Sequence, residues 1–149
     1  MGTITEWAVI ADAQHCRVFA RAAPAGRWDE LAERAIEISN PRSHERGTDQ
    51  PGRVQESATA AHHAIEPRSD PHREAKRAFA RQLAERLETA ATEGSFGRLT
   101  LVAPPPFLGD LRAALLDRAR ARVVASLDKD LTRLPQAEIV EQLEFARSK

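Results

Sequence analysis

Cysteine is almost absent: Cys16 is the only one. No internal disulfide can form and no cysteine-based metal site can be built. An excess charge of one sign is absent too, since 22 Lys and Arg balance 22 Asp and Glu. No global field draws the chain to nucleic acid or to a membrane surface, so any such binding must come from a local patch. No apolar run reaches about 18 residues, which excludes a membrane-spanning helix from the reading. The opening MGTITEWAVIADAQ lacks a basic stretch followed by an apolar one and does not read as a secretory signal. Gly2 invites myristoylation, but Glu6 stands where that pattern wants Ser or Thr. These absences predict a cytoplasmic protein with no membrane partner. Catalytic signatures are missing as well: there is no GxGxxG, Walker A, HExxH or GxSxG, and no Gly-Gly pair anywhere.

What is present describes an ordinary globular chain. At 149 residues, with 42% hydrophobic and 30% charged, it fits a single domain over 1–149 with a core of its own. EWAVIADA (6–13) is an apolar run of strand formers ending in a polar break. CRVFARA (16–22) alternates, with Cys16, Val18 and Ala20 on one side and Arg17, Phe19 and Arg21 on the other. The two read as a hairpin. WDELAERAIEI (28–38) carries both helical and strand periodicity, and short hairpin connections favour a third antiparallel strand. Asp70 as N-cap and Pro71 as first residue open a helix over 71–92, with Phe79, Leu83 and Leu87 on its inner face and Gly94 as its stop. LTLVAPPP (99–106) holds a buried strand. PFLGDLRAALLDRARA (106–121) reads as one helix with Phe107, Leu108, Leu111, Leu115 and Leu116 inward. A strand over 122–127 and a helix opening at Pro135 complete the chain. The order βββ-loop-αβαβα predicts an α/β fold, a mixed sheet of about five strands with three main helices, antiparallel in its first half and parallel in its second.

Between the third strand and the long helix lies a polar stretch at about 39–70. Across 43–77 the only large apolar residues are Val54 and Ile65. Ordering a residue costs roughly 1–2 kcal/mol of backbone entropy, and this stretch has little burial to offset it. Residues 40–68 are therefore expected to be mobile or extended.

Candidate chemistry is sparse. His62 and His63 are adjacent, with His44 and His72 nearby, but neighbours in extended chain point apart and do not converge on a metal. His15 and Cys16 face opposite ways on a strand, which separates a base from its nucleophile. Asp12, Asp128 and Asp130 at strand ends, with Asp110, have the composition of a two-metal nuclease site. The ordinary reading is stronger: Asp110 lies in the first turn of a helix and complements its N-terminus, and the others form turns. No metal or cofactor is expected. The basic residues Arg68, Arg73, Lys76, Arg77 and Arg81 crowd the start of the long helix, with Glu66, Asp70 and Glu74 interspersed. Arg73, Arg77 and Arg81 share a face by their four-residue spacing. Positive charge there opposes the helix macrodipole, and a phosphate bound by both the helix end and the arginines would explain it. No Phe, Trp or Tyr occurs within 39–78 to stack on bases, which argues against single-strand readout.

Several blocks together resemble a known family. WAVIADAQHCRVFA, RGTDQPGR, FARQLAERLE, LTLVAPPPFLGDLRAAL and ASLDKDLTRLPQAEI resemble the bacterial host-attachment protein family over nearly the whole chain. LVAPPPFLGDLR and DKDLT are the most specific of them. That family is in turn similar to the middle domain of archaeal and eukaryotic peptide-chain release factors, which implies the same element order with a protruding loop. In release factors that loop carries Gly-Gly-Gln. Here Gly47-Thr48-Asp49-Gln50 and Gly52-Arg53-Val54-Gln55 are loose echoes without the Gly-Gly pair, so the resemblance implies a non-enzymatic protein. The expectation is a binding module for RNA or a ribosome-like partner, with an indirect part in attachment. Arg46, Gln50, Arg53 and Gln55 of the loop and Arg73, Lys76, Arg77 and Arg81 of the helix form its expected partner-facing surface. The alternatives are a ribosome-dependent hydrolytic factor of the release or rescue type and a structural protein-interaction domain.

Overall fold

The computed structural model describes residues 3–37 and 71–147. Expectations for 40–68, including Arg46, Gln50, Arg53 and Gln55, and for the Asp70 cap lie outside these residues. Strands β1 (Ile4–Ala11) and β2 (His15–Ala23) pair antiparallel from Ile4 opposite Ala23 to Ala11 opposite Cys16. The short strands β3 (Asp29–Glu30) and β4 (Ile36–Glu37) both lie against β2. Helix α1 (Pro71–Thr92) leads to β5 (Arg98–Val102), which runs parallel to β1. Helices α2 (Pro105–Ala114) and α3 (Asp117–Ala121) lead to β6 (Val123–Leu127), parallel to β5, and α4 (Gln136–Arg147) follows. The sheet order is β3-β2-β1-β5-β6, with β4 also on β2. This is the expected mixed α/β architecture, with six strands and four α-helices among the described residues.

Central strand β1 is apolar on both faces because both faces are covered. Trp7, Val9 and Ala11 face one core with Cys16, Val18, Leu99 and Leu101. Helices α1, α2 and α3 close that side through Phe79, Leu83, Leu87, Phe107, Leu111 and Ala119. Ala8 and Ile10 face the other core, where Phe19, Trp28 and Val102 meet Ile139 and Leu143 of α4. Helix α1 stops as its sequence requires. Gly94 takes φ +80°, the left-handed conformation open to glycine. Its N–H donates to Ala91 O at 3.1 Å and the Ser95 N–H to Ala90 O at 2.9 Å, closing the last turn.

Two expectations need correction. The single strand over 28–38 is instead two two-residue strands flanking a 3-10 turn at Ala32–Arg34. Trp28 is drawn into the α4-side core, and the turn that follows breaks the ladder. The single helix over 106–121 is two, because the backbone is extended at Leu115 and Leu116. Leu115 stays buried, but Leu116 is 45% exposed rather than inward. The restart has its own cap: the Glu88 carboxylate on α1 accepts the N–H of Arg118 at 3.3 Å and of Ala119 at 3.0 Å. These satisfy orphan donors at the α3 N-terminus.

Candidate nucleic-acid interface

Residues 71–81 hold four cations, Arg73, Lys76, Arg77 and Arg81, against one carboxylate, Glu74. Phe79, Ala80 and Leu83 lock this half of α1 onto the core, so its cations are presented on a rigid rod. They do not form one stripe. Arg77 and Arg81 line a cleft of about 260 Å³ between α1 and α2, floored by Asp110, Ala113 and Ala114. Lys76 lies on the other flank, in a cleft of about 380 Å³ with His72, Phe79, Asp12, Gln14 and Pro104. Arg73 reaches across to α2, with Nη2 3.4 Å from Asp110 Oδ1. Arg77 is 46% exposed, and its Nη1 lies 3.8 Å from Glu74 Oε2, a loose helical pair. Lys76 and Arg81 are exposed and make no ion pair among the described residues.

Asp110 is not in the first turn of its helix. Pro105 and Pro106, with φ already set for a helix, start α2 five residues earlier. Asp110 is 13% exposed, faces α1, and has Oδ2 buried without a hydrogen bond, so Arg73 is its charge partner. The sequence suggested anion binding along Arg73, Arg77 and Arg81; the structure adds a tie from Arg73 to Asp110, 37 positions away, that leaves the Arg73 side chain 42% exposed.

The other carboxylates fasten turns. Asp12 Oδ1 accepts the Gln14 N–H at 2.8 Å, the His15 N–H at 2.7 Å and His15 Nδ1 at 3.0 Å, while Thr132 Oγ1 lies 2.9 Å from Oδ2. Burial pushes the Asp12 carboxyl up, but these bonds outweigh it and hold it below its ordinary 3.8. Asp130 Oδ1 lies 3.1 Å from the same Thr132 hydroxyl, and Asp128 is exposed. No group of three His, Cys, Asp or Glu side chains among the described residues could hold a metal ion. Thr132 gave no signal in the sequence, because its role depends on two turns 120 positions apart. Cys16 is buried in the core, and burial pushes its thiol up to about 12, with the Arg86 charge opposing. His15 turns instead to Asp12, with Nε2 3.8 Å from Glu37 Oε2.

A family model described as "Protein required for attachment to host cells" matches residues 7–143. No curated protein matches the chain. The match begins at Trp7 in β1 and ends at Leu143 in α4, spanning both cores and the basic half of α1, and so the chain belongs to the family of proteins required for attachment to host cells.

Proposed function

We propose that this host-attachment-family protein is a non-enzymatic, cytoplasmic binding module for RNA, free or within a ribosome-like particle, and that its part in attachment is indirect. The observation that carries the reading is the set of exposed cations, Lys76, Arg77 and Arg81, on the N-terminal half of a helix anchored by its opposite face. Packed Phe79 and Leu83 spare the surface the cost of ordering itself on binding. Guanidinium forks suit phosphate oxygens. Phe79 is buried, so α1 offers no exposed Phe, Trp or Tyr for base stacking, and the readout is of phosphate rather than sequence. Burial keeps the Cys16 thiol protonated at neutral pH, which speaks against a thiol nucleophile. The ribosomal form of the partner is proposed from the resemblance of the host-attachment family to release-factor middle domains.

Co-sedimentation with ribosomes and binding to mixed-sequence RNA, each at two salt concentrations, test the proposal. Binding that weakens steeply with salt is the expected result. No binding at the lower salt overturns it, and release of peptide from ribosome-bound peptidyl-tRNA would favour the hydrolytic alternative.

A further inference from the structure

We infer that strand β6 is an edge through which two copies of this chain pair, antiparallel about Ala125. Among the described strands, β6 ends the sheet. On its β5 side it is bonded, with the Leu99 N–H donating to Arg122 O at 2.8 Å and the Ala103 N–H to Leu127 O at 3.1 Å. Among the described residues no strand pairs its other side. The opposite end of the sheet differs: β3 and β4 have two residues each and present little ladder. Edges are commonly blunted by a charge within the strand, yet VVASL carries none. The register shifts from Leu99 opposite Val123 to Thr100 opposite Ala125, leaving Val124 unmatched and 44% exposed.

The flanking charges select both the occupant and its direction. Arg118, Arg120 and Arg122 precede the strand, while Asp128 and Asp130 follow it. A two-fold pairing about Ala125 sets Arg122, next to the strand's start, opposite Asp128 of the second copy, while Arg118 and Arg120 on helix α3 bring further positive charge to the end where Asp128 and Asp130 of that copy lie. Val123 then meets Leu127, and Val124 meets Ser126. Over residues 122–128, which such a pairing spans, no like charges oppose one another. Parallel pairing would set arginine against arginine and aspartate against aspartate, which is destabilising. An isologous contact demands a self-complementary surface, and this segment is self-complementary in charge when read against its own reverse. Nη2 of Arg120 donates to Leu115 O and Nη1 of Arg122 to Ala91 O, both at 2.6 Å, which fixes the cations and leaves further N–H groups on each guanidinium. One strand pair is small beside a standard interface, so the association is weak and concentration-dependent. Arg77 and Arg81 lie outside it, which makes it independent of the RNA reading.

Sedimentation equilibrium from about 10 μM to about 1 mM spans the range in which such an association registers. The parent is expected to shift from the mass of one 16.5 kDa chain towards that of two. Val124→Asp should remain monomeric with an unchanged far-ultraviolet circular dichroism spectrum, and Asp128→Lys should weaken the association. The register has a separate check. Ala125→Cys places two thiols opposite each other across the two-fold, where oxidised glutathione should join them, while buried Cys16 stays silent. A parent that is monomeric throughout, a Val124→Asp variant that associates as the parent does, or an Ala125→Cys variant that forms no cross-linked dimer overturns the inference.

Discussion

Arg17 and Glu30 form a two-pronged ion pair, Nε to Oε2 at 2.8 Å and Nη2 to Oε1 at 2.9 Å. The same guanidinium donates through Nη1 to the carbonyls of Thr132 and Leu134, at 2.9 and 2.8 Å. One side chain thus ties β3 to β2 and holds the turn ahead of α4. The hydrogen bonds from Arg17 hold the Glu30 carboxyl below its ordinary 4.5 against the opposing effect of burial. A carboxylate depressed in the folded state stabilises it above the unfolded pKa, and that contribution disappears as pH falls through the folded value. Thermal stability should therefore drop in acid below about pH 4.5. Glu30→Gln should be less stable than the parent at pH 7 and lose less on acidification to pH 3. An equal acid loss in the two would contradict this.

Glu6 is fully buried at the start of β1. Its Oε1 lies 3.1 Å from Nη2 of Arg21, and its Oε2 accepts the Thr100 hydroxyl at 3.1 Å. Arg21 in turn stacks over Trp28 at 4.8 Å. Removing one partner of a buried pair strands the other charge, so Glu6→Ala should lower stability by about 3–5 kcal/mol in urea denaturation. Glu6→Gln, which keeps an acceptor, should cost less.

Cys16 is 1% exposed with its thiol pushed up to about 12. At pH 8 it should resist iodoacetamide in the native protein and react fully in denaturant. Rapid native alkylation would show that the core between β2 and α1 opens.

Arg73 and Asp110 join α1 to α2 at 3.4 Å. Arg73→Ala removes the direct partner of the part-buried Asp110 carboxylate, leaving Arg77 and Arg81 only across the cleft, and should cost about 1 kcal/mol. Adding Asp110→Ala should restore much of that loss, as a double-mutant cycle would register. Arg81→Ala alone should stay within about 0.5 kcal/mol of the parent.

What could be read from the sequence follows from how local its causes are. Helix α1 was legible, because Pro71, the Phe79-Leu83-Leu87 spacing and Gly94 are all local signals. Strand β1 was legible from its apolar run. The split between α2 and α3 was not, since Leu115 and Leu116 both fit the helical period and the cap comes from Glu88, 31 positions from Ala119. Residues 28–38 were misread because packing of Trp28, not local propensity, decides their path. At the candidate interface the shared face of Arg73, Arg77 and Arg81 was visible as spacing. The diversion of Arg73 to Asp110, and the placing of Lys76 on the opposite flank, depend on how α2 and the β1–β2 turn lie against α1.

The central claim is that Arg77 and Arg81 contact phosphate, and the salt dependence of RNA binding tests it most directly. Affinity for a mixed-sequence RNA is measured over a series of salt concentrations for the parent and for the Arg77→Ala/Arg81→Ala variant, with thermal melts to confirm that both are folded. Each lost phosphate contact should reduce the slope of log affinity against log salt by about 1, so the variant should bind more weakly to every sequence with a slope flatter by about 2. A parent that binds no RNA, or a variant whose affinity and slope equal the parent's, would contradict the account.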